Sequence, residues 1–355
     1  MHGSQTDLWP PKVADALPPA GRRVAGVARA AILAAALVGL CLSQAPARAQ
    51  SSAQVQNYPD RPVKVIVPLT PGGGTDTIAR GLTQRLSTLW GRNVYVENRP
   101  GAGTIPGAEA AARAPADGYT LFFTEPATFV INPHLYRKLP YDPIADFAPI
   151  TVVCWLSPAI ALSNAVPARN VAELIAYARQ NPGKLSYGSF GNGSYSHVSM
   201  AHFAQMAGID LLHVPYKGSA GAMPAIIAGD LSMILINMSV FESSLKAGRL
   251  KVLGAATERR LPVHPDLPTV GETVPGFSIN AWFALAAPAR TPEAILDRIH
   301  ADVLKVLGDT SFVETFLRPQ SVEPGGISRA AFVELIARET PVWGKMVRQA
   351  GITPE

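Results

Sequence analysis

The chain has 355 residues, with 31 basic and 26 acidic side chains and a formal net charge of +5. No run rich in lysine and arginine stands out, so nucleic-acid binding receives no support from the charge. The length corresponds to one large domain or to two domains of ordinary size.

The first 49 residues have the features of a secretory signal peptide. Three arginines precede an apolar run from residue 30 to residue 42, and the Ala-x-Ala sequence Ala47-Arg48-Ala49 follows it. We expect cleavage after Ala49, which leaves a mature chain with 26 basic and 24 acidic residues. The apolar run is shorter than the ~20 residues that span a bilayer, although an uncleaved anchor stays open as an alternative.

The sequence that follows predicts a strand, a glycine loop and a helix. Residues 63–67 are almost wholly apolar, which is typical of a buried strand in a parallel sheet. After the loop, apolar residues recur with the spacing of one helix face: Ile78, Leu82, Leu86 and Leu89. The first N–H groups of a helix lack internal partners and the helix dipole is positive there. The loop is therefore suited to an anion, and a carboxylate fits as well as a phosphate.

Seven residues of this first glycine loop are candidate ligand contacts: Thr70, Pro71, Gly72, Gly73, Gly74, Thr75 and Asp76. No Gly-Lys-Ser/Thr sequence follows the glycines, which argues against a nucleotide hydrolase with a P-loop. Asp76 has three alternative interpretations: a helix cap, a charge that repels a second carboxylate, or a partner for an ammonium group. The simpler alternative for the whole loop is a tight strand-to-helix turn.

A second strand, glycine turn and helix are predicted at residues 94–113. Gly101, Gly103 and Gly107 approximate a dinucleotide-binding fingerprint. Their spacing is one residue too long, however, and no acidic residue follows about twenty positions later. We therefore expect no nucleotide cofactor.

A third apolar strand, residues 119–124, ends at Glu125. Ligands of open α/β sheets bind at the carboxyl ends of strands, so Thr124 and Glu125 are predicted to line the site. Glu125 either selects the ligand or is a solvated loop charge.

The second half of the chain contains another glycine loop, rich in hydroxyl groups, ahead of a helix that Gly208 is predicted to end. Its candidate ligand contacts are Ser189, Gly191, Asn192, Gly193, Ser194, Tyr195 and His197. Lys217, in a later loop, has three alternative interpretations: a lysine that faces a phosphate or carboxylate, a solvated lysine or, less favoured, a Schiff-base lysine. Cys154, the one cysteine of the mature chain, lies in an apolar run and is expected to be buried rather than reactive.

Alternating strands and helices predict an α/β fold with largely parallel sheets. Two apolar strands, near residues 150–156 and 281–287, are predicted to cross between two domains. The first domain would then be discontinuous and the second continuous, with boundaries at 50–153 plus 282–355 and at 154–281.

Two helix starts carry clear signals. Asn170 and Glu173 have the spacing of a capping box. Thr291, Pro292 and Glu293 supply a cap, a proline for the first helical position and an acid for the first turn. We expect a helix after each.

A catalytic interpretation finds little support. His197 lies beside Ser194 and Ser196, but the Gly-x-Ser-x-Gly spacing of a serine nucleophile is absent and no acidic partner is evident. His197 and His202 are five residues apart, which does not place them on one helix face as a metal pair requires. We expect no catalytic residue, no metal and no cofactor, with a secreted Ser/His hydrolase as the less favoured alternative.

Several ordered blocks of sequence resemble the Bug family, the TctC-like solute-binding proteins of tripartite tricarboxylate transporters. The blocks are YPDRPV at 58–63, PGG at 71–73, VENRPGAG at 96–103, ADGYTL at 116–121, NPHLY at 132–136, LPYDP at 139–143 and HVPYKG at 213–218. They extend over nearly all of the mature chain.

The resemblance implies a type II periplasmic binding protein, a two-domain Venus flytrap that is not an enzyme. Such a protein, expected here as a monomer, encloses a small carboxylate and presents it to membrane permease subunits. The resemblance assigns ligand contacts to residues 70–75 in one domain and 189–197 in the other. A ligand-sensing domain that serves a membrane signalling partner would have the same fold and pocket, and stays open.

Some positions depart from the family pattern. Leu69-Thr70 replaces an aromatic-proline pair, and Glu125 lies where small hydroxyl residues are common. Tyr195 adds a ring to the loop of the second domain. We expect Glu125 and Tyr195 to shape the distal part of the pocket, so the ligand cannot be transferred from the family by analogy.

Overall fold

The computed structural model describes residues 57–216, 218–352 and 354. The predicted signal peptide, its cleavage site and Lys217 therefore lie outside the described residues.

The described part of the chain alternates strands with helices, as the sequence predicts. Its strands are β1 (Val63–Val67), β2 (Val94–Asn98), β3 (Thr120–Thr124), β4 (Phe147–Trp155), β5 (Pro158–Ser163), β6 (Ser186–Ser189), β7 (Leu212–Pro215), β8 (Met233–Asn237), β9 (Leu250–Ala255), β10 (Trp282–Pro288) and β11 (Glu323–Pro324). Its α-helices are α1 (Gly74–Trp90), α2 (Ile105–Ala112), α3 (Asn132–Leu135), α4 (Val171–Gln180), α5 (Tyr195–Ala207), α6 (Ser219–Ala228), α7 (Glu242–Lys246), α8 (Glu293–Leu307), α9 (Thr310–Phe312) and α10 (Arg329–Gln349).

Two mixed sheets form the centres of two lobes. The first sheet has the strand order β11-β4-β10-β3-β1-β2, and the second has the order β7-β6-β8-β5-β9. Pairing is parallel around β1 and β6 but antiparallel at β4, β10, β5 and β9. The α/β class is confirmed, while the expectation of mostly parallel pairing is too strong. Antiparallel pairs arise where the chain enters or leaves a lobe. The strands there point in the opposite direction to the parallel strands of the βαβ units.

The core of the first lobe forms as the apolar pattern predicts. Every residue of β1 except Lys64 is buried, and Ile78, Leu82 and Leu86 of α1 are buried beneath it. Removing each such side chain from water contributes about 1.5–3 kcal/mol. Leu89, predicted on the same face, is 46% exposed because α1 ends at Trp90, beyond the edge of the core.

The chain passes between the lobes twice, at the ends of β4 and β10. These two strands lie side by side in the first sheet, with Trp155 opposite Trp282. Their contact continues past the sheet, where the Leu156 N–H donates to the Ala281 carbonyl at 2.9 Å. The connection between the lobes is thus two adjacent, hydrogen-bonded segments.

Two local features differ from the sequence prediction. Strand β5 was not predicted, because its small, wholly buried residues show no alternation and Pro158 occupies its first position. Pro292, not Thr291, occupies the cap position of α8, since the Thr291 hydroxyl donates to the Pro288 carbonyl instead. In the part of the chain that the structure describes, no helix combines the length and apolar character of a membrane span.

Candidate functional site

The first glycine loop ends at the carboxyl edge of β1, where α1 begins. Gly73 is the cap residue of α1 and no side chain caps this end. No acceptor within the described residues meets the N–H groups of Gly73, Gly74 or Thr75. The loop therefore presents three unsatisfied backbone donors at the positive end of a helix dipole.

Asp76 holds this loop in place. One carboxylate oxygen accepts from the Gly72 N–H at 3.0 Å and from Arg80 Nε at 2.8 Å, and the other accepts from Asn98 Nδ2 at 2.9 Å. Burial opposes ionisation, but these hydrogen bonds prevail and lower the pKa of Asp76 below its ordinary value. Both carboxylate oxygens accept hydrogen bonds from the protein. The structure therefore favours a role for Asp76 in holding the loop over direct attraction or repulsion of a ligand.

The end of β3 carries a short chain of buried hydroxyl groups. Thr124 Oγ1 lies 2.7 Å from Thr128 Oγ1, which lies 2.8 Å from Thr104 Oγ1. The Thr124 hydroxyl thus ties β3 to the π-helical turn Ala127–Ile131. This contact holds the carboxyl end of β3 in position.

Glu125, the next residue, is buried with only 8% of its surface exposed. Burial raises the pKa of its carboxyl group from 4.5 to about 7. The described residues donate no hydrogen bond to this carboxylate. Because the side chain is removed from water, Glu125 is not a solvated loop charge, which was one of its two predicted alternatives.

The glycine loop of the second lobe is organised by its own side chains. The N–H groups of Phe190, Gly191 and Gly193 donate to Ser196 Oγ, Ser189 Oγ and His197 Nδ1, respectively. Ser194 caps α5 by accepting from the His197 N–H. Within the described part of the chain, the N–H groups of Asn192, Tyr195 and Ser196 have no acceptor. A second helix start thus offers free donors at the carboxyl end of β6.

Three aromatic rings stack beneath this loop. The His197 and His213 rings are parallel with centroids 3.8 Å apart, and Tyr187 stacks on His213 at 5.0 Å. Burial, and secondarily His213, lower the pKa of His197 to about 4. His213 Nε2 lies 2.7 Å from Ser189 Oγ. His197 and Ser189 thus support the loop.

Within the described residues, neither Ser194 nor Ser196 bonds to a histidine ring, and the serine that does, Ser189, is fully buried. The Ser194 hydroxyl bonds to the Gly191 carbonyl and to Ser196 Oγ, and not to an imidazole ring. His197 Nδ1 accepts from a backbone N–H. Among the described residues, no cluster of three or more histidine, cysteine, aspartate or glutamate side chains has metal-binding geometry. Cys154 is fully buried, and burial raises the pKa of its thiol well above the ordinary value.

Both loops lie beside residues at the boundary between the lobes. A Cβ built on Gly193 would lie 2.6 Å from Leu135 Cδ1 of the first lobe, so this glycine permits close contact. A Cβ on Gly74 would lie 2.9 Å from Gln320 Oε1. The Gln320 carbonyl accepts from Asn237 Nδ2 of the second lobe at 2.8 Å.

Sequence reasoning missed Asn237 and Gln320. Asn237 ends β8, a strand parallel to β6, so the rule about carboxyl ends of strands would have found it. Gln320 lies in a short turn, Arg318–Gln320, and carries no sequence signal. Thr70, Pro71, Gly72 and Asn192 are present at the loop surfaces as exposed or partly exposed residues.

Two surface depressions, of about 520 and 510 Å³, lie elsewhere. The larger is lined by residues between Pro133 and Asp146 and the other by residues between Pro149 and Val333. No residue of the glycine loops lines either of them.

Comparison with known proteins agrees with this geometry. Residues 78–352 match the model of the TctC family, described as the tripartite tricarboxylate transporter family receptor. The protein BugT of Bordetella pertussis is 30% identical over 318 residues, which cover 89% of this chain and 97% of BugT.

Solved structures give the same result. The Rhodopseudomonas palustris protein Rpa4515, solved with adipate, superposes with a TM-score of 0.80 at 35% identity, covering 84% of this chain and all of Rpa4515. MatC from the same organism, with bound malate, has a TM-score of 0.75 at 30% identity, covering 82% of this chain and all of MatC. The resemblance and the two-lobe periplasmic binding protein fold are confirmed. The chain belongs to the TctC family of tripartite tricarboxylate transporter receptors.

Proposed function

We propose that this chain is a periplasmic receptor that captures a small carboxylate between its two lobes and delivers it to a tripartite tricarboxylate-type permease. The observation that carries the proposal is the pair of helix starts, α1 and α5, with unsatisfied N–H groups at the carboxyl ends of β1 and β6. The structures of Rpa4515 with adipate and MatC with malate support a carboxylate as the ligand.

Backbone donors account for most of the binding. A helix dipole contributes only about 0.3–2 kcal/mol toward an anion. Hydrogen bonds to charged groups contribute about 1.5–3 kcal/mol each, so several N–H groups from the two lobes acting together give useful affinity. Binding between two lobes also favours their closure, because contacts to both sides form only when the lobes meet.

The proposal includes the absence of turnover. A hydrolase needs an accessible nucleophile hydrogen-bonded to a base, whereas Ser194 and Ser196 bond to each other and to the backbone. Ser189 does bond to the His213 ring, but it is fully buried. We expect the captured acid to be released unchanged.

The test is a thermal-shift titration of ligand-stripped protein with succinate, malate, adipate, citrate, alanine, 4-aminobutanoate and 6-aminohexanoate. A ligand at 100 times its dissociation constant adds about 2.7 kcal/mol to the free energy of unfolding. The uncharged 1,6-hexanediol, matched in length to adipate, is the control and should give no shift. Mass spectrometry of the bound acid after incubation should show an unchanged compound. An equal shift with the diol, or no shift with any acid, would contradict carboxylate capture.

A separate experiment tests whether the protein takes part in transport and whether residues 1–49 direct its export. A strain without this receptor should lose uptake of the identified acid, and the full chain should restore it. A chain that lacks residues 1–49 should be made but should not restore uptake, because it stays in the cytoplasm. Restored uptake by that shortened chain would refute the predicted leader.

A further inference from the structure

Glu125 and Tyr195 are two buried polar residues, one from each lobe, whose side chains the carboxylate contacts described above do not use. Glu125 follows β3 in the first lobe, and Tyr195 is the first residue of α5 in the second. Their exposed fractions are 8% and 5%. Glu125 is close enough to Tyr195 to raise the pKa of its hydroxyl, after the larger effect of burial.

Both polar groups lack a partner among the described residues. The Tyr195 hydroxyl is completely buried and makes no hydrogen bond. The Asn237 backbone lies near the Tyr195 hydroxyl and opposes the rise in the pKa of that hydroxyl. It does not have the geometry of a hydrogen bond to it. No hydrogen bond to the Glu125 carboxylate is found within residues 57–216 and 218–352. A buried hydroxyl without a partner is costly, so the Tyr195 hydroxyl indicates a ligand group that completes it.

Other carboxylates of the first lobe show how this protein treats such groups. Asp76 receives three hydrogen bonds. Glu97, at the end of the neighbouring strand β2, is paired with Lys64 and Arg99. Glu125 is at the equivalent edge of β3, yet no cation of the described residues is paired with it. The difference sets Glu125 apart from carboxylates with a structural role.

The two parts of the site require opposite chemistry. The starts of α1 and α5 supply N–H donors and attract a negative charge. An ionised carboxylate accepts only, and a phenol accepts as well as donates, so Glu125 and Tyr195 attract a donor. An ammonium group has three N–H donors and a positive charge, which balances a buried carboxylate. A second carboxylate would instead face Glu125 with the same charge.

We propose that Glu125 and Tyr195 bind the ammonium group of an amino-carboxylate whose carboxylate group occupies the two glycine loops. The inference rests on the proposed function, since it assigns the second half of the same ligand. Glu125 makes the charge-assisted contact, and Tyr195 reaches the same group from the opposite lobe.

Calorimetric titration with matched compounds tests the proposal. The probes are alanine, 4-aminobutanoate and 6-aminohexanoate, each compared with the acid that lacks the amino group. The second and third are also compared with succinate and adipate, which have a carboxylate in place of the terminal CH₂–NH₃⁺ group. At least one amino-carboxylate should bind at least tenfold more tightly than each of its matched compounds.

Three variants assign the effect to these side chains. Glu125→Gln should weaken amino-carboxylate binding at least tenfold and should leave the dicarboxylates unchanged or tighter. A loss of affinity confined to one ligand class cannot come from misfolding. Tyr195→Phe should weaken the amino-carboxylate by a smaller factor, and Glu97→Gln, the matched control, should change neither class.

Each remaining outcome is decisive. If a dicarboxylate binds more tightly than every amino-carboxylate, the assignment of Glu125 is overturned while carboxylate capture stands. The same holds if Glu125→Gln leaves amino-carboxylate affinity unchanged. If no compound of either class binds to the natural chain, both this inference and the proposed function fail.

Discussion

At the scale of single residues, the buried carboxylates that the structure describes differ in how many hydrogen bonds they receive. Asp76 and Asp302 are almost completely buried, and each receives hydrogen bonds on both oxygens. Glu125 is comparably buried but has no such bonds from the described residues. The sequence marks all three only as acidic residues, because hydrogen-bond satisfaction depends on side chains distant in the chain.

Asp76→Asn should reduce both stability and ligand affinity. The amide accepts fewer hydrogen bonds and presents an NH₂ group to Arg80, so we expect a loss of about 1–3 kcal/mol in the free energy of unfolding. Urea unfolding measures this loss, and calorimetry measures the weaker binding. Asp302→Asn, on α8, is the matched control: it should lower stability similarly and leave ligand affinity unchanged. Equal affinity losses in both variants would show that Asp76 acts only through stability.

Glu125→Gln should stabilise the ligand-free protein in a pH-dependent way. The folded pKa of Glu125 is about 7 and the ordinary value is 4.5. The unfolded chain therefore ionises first, and the natural protein loses stability as pH rises from about 4.5 to about 7. Glutamine does not titrate, so the stability difference should grow over this range to the order of 3 kcal/mol and then level off.

Denaturant unfolding of both proteins at pH 4.5, 6, 7 and 8 measures this difference. The titration of His197 falls in the same pH range but is common to both proteins, so it cancels. A difference that stays constant with pH would mean that Glu125 is not perturbed in the folded protein.

At the scale of elements, the two strand-loop-helix units create the site. A strand delivers each loop to the edge of its sheet, and glycine leaves the first N–H groups of the helix accessible. Gly193 has a positive φ of 74° and also contacts the other lobe. Its backbone conformation and this close contact therefore both require glycine. These units were predictable, because apolar runs, glycines and helical spacing are local signals.

Gly73→Ala should weaken ligand binding with little effect on folding. Gly73 has φ −79°, which alanine adopts readily, and the new methyl group would lie 4.0 Å from the Thr70 carbonyl, its nearest neighbour. The methyl group would, however, occupy space beside the N–H donors of α1. We expect at least a tenfold loss of affinity and a loss of stability below about 1 kcal/mol.

Gly308→Ala provides the comparison for this variant. Gly308 lies at the end of α8 with φ −80°, and its added methyl group would have ordinary contacts. Ligand affinity should be unchanged there. If Gly73→Ala also binds the ligand normally, the N–H groups at the start of α1 are not the contact.

At the scale of the whole molecule, the site exists only because two lobes meet. Asn237 accepts from the Ser157 N–H within its own lobe and donates to the Gln320 carbonyl of the other. The Ser321 hydroxyl donates to Glu242 across the same boundary. Such contacts favour the closed arrangement that holds a ligand.

Asn237→Ala should therefore bind ligand more weakly through faster release. Losing one hydrogen bond of the closed form corresponds to about 1 kcal/mol, or roughly a fivefold increase in the dissociation rate. Stopped-flow dissociation measures it. In Asn164→Ala the lost bond, Nδ2 to the Gly248 carbonyl at 2.8 Å, lies within one lobe, so the rate should not change. Equal effects in both variants would contradict a closing function.

The architecture of the whole chain was less predictable than its elements. The alternation of strands and helices indicated an α/β protein, and the resemblance indicated two lobes. Strand pairing did not follow, because β5, β9 and β10 join their sheets through partners far along the chain. The domain boundaries at 153–154 and 281–282 stay a prediction. Asn237 and Gln320 were missed for a related reason, since their contact depends on how the lobes meet.

The facing tryptophans Trp155 and Trp282 give the protein a built-in optical probe. They lie where β4 and β10 carry the chain between the lobes, and the Trp282 Nε1 donates to the buried Glu339. A rotation of one lobe alters the polarity around the partly exposed Trp155 ring. Intrinsic fluorescence should therefore follow ligand capture in unlabelled protein, on the millisecond timescale of lobe motion.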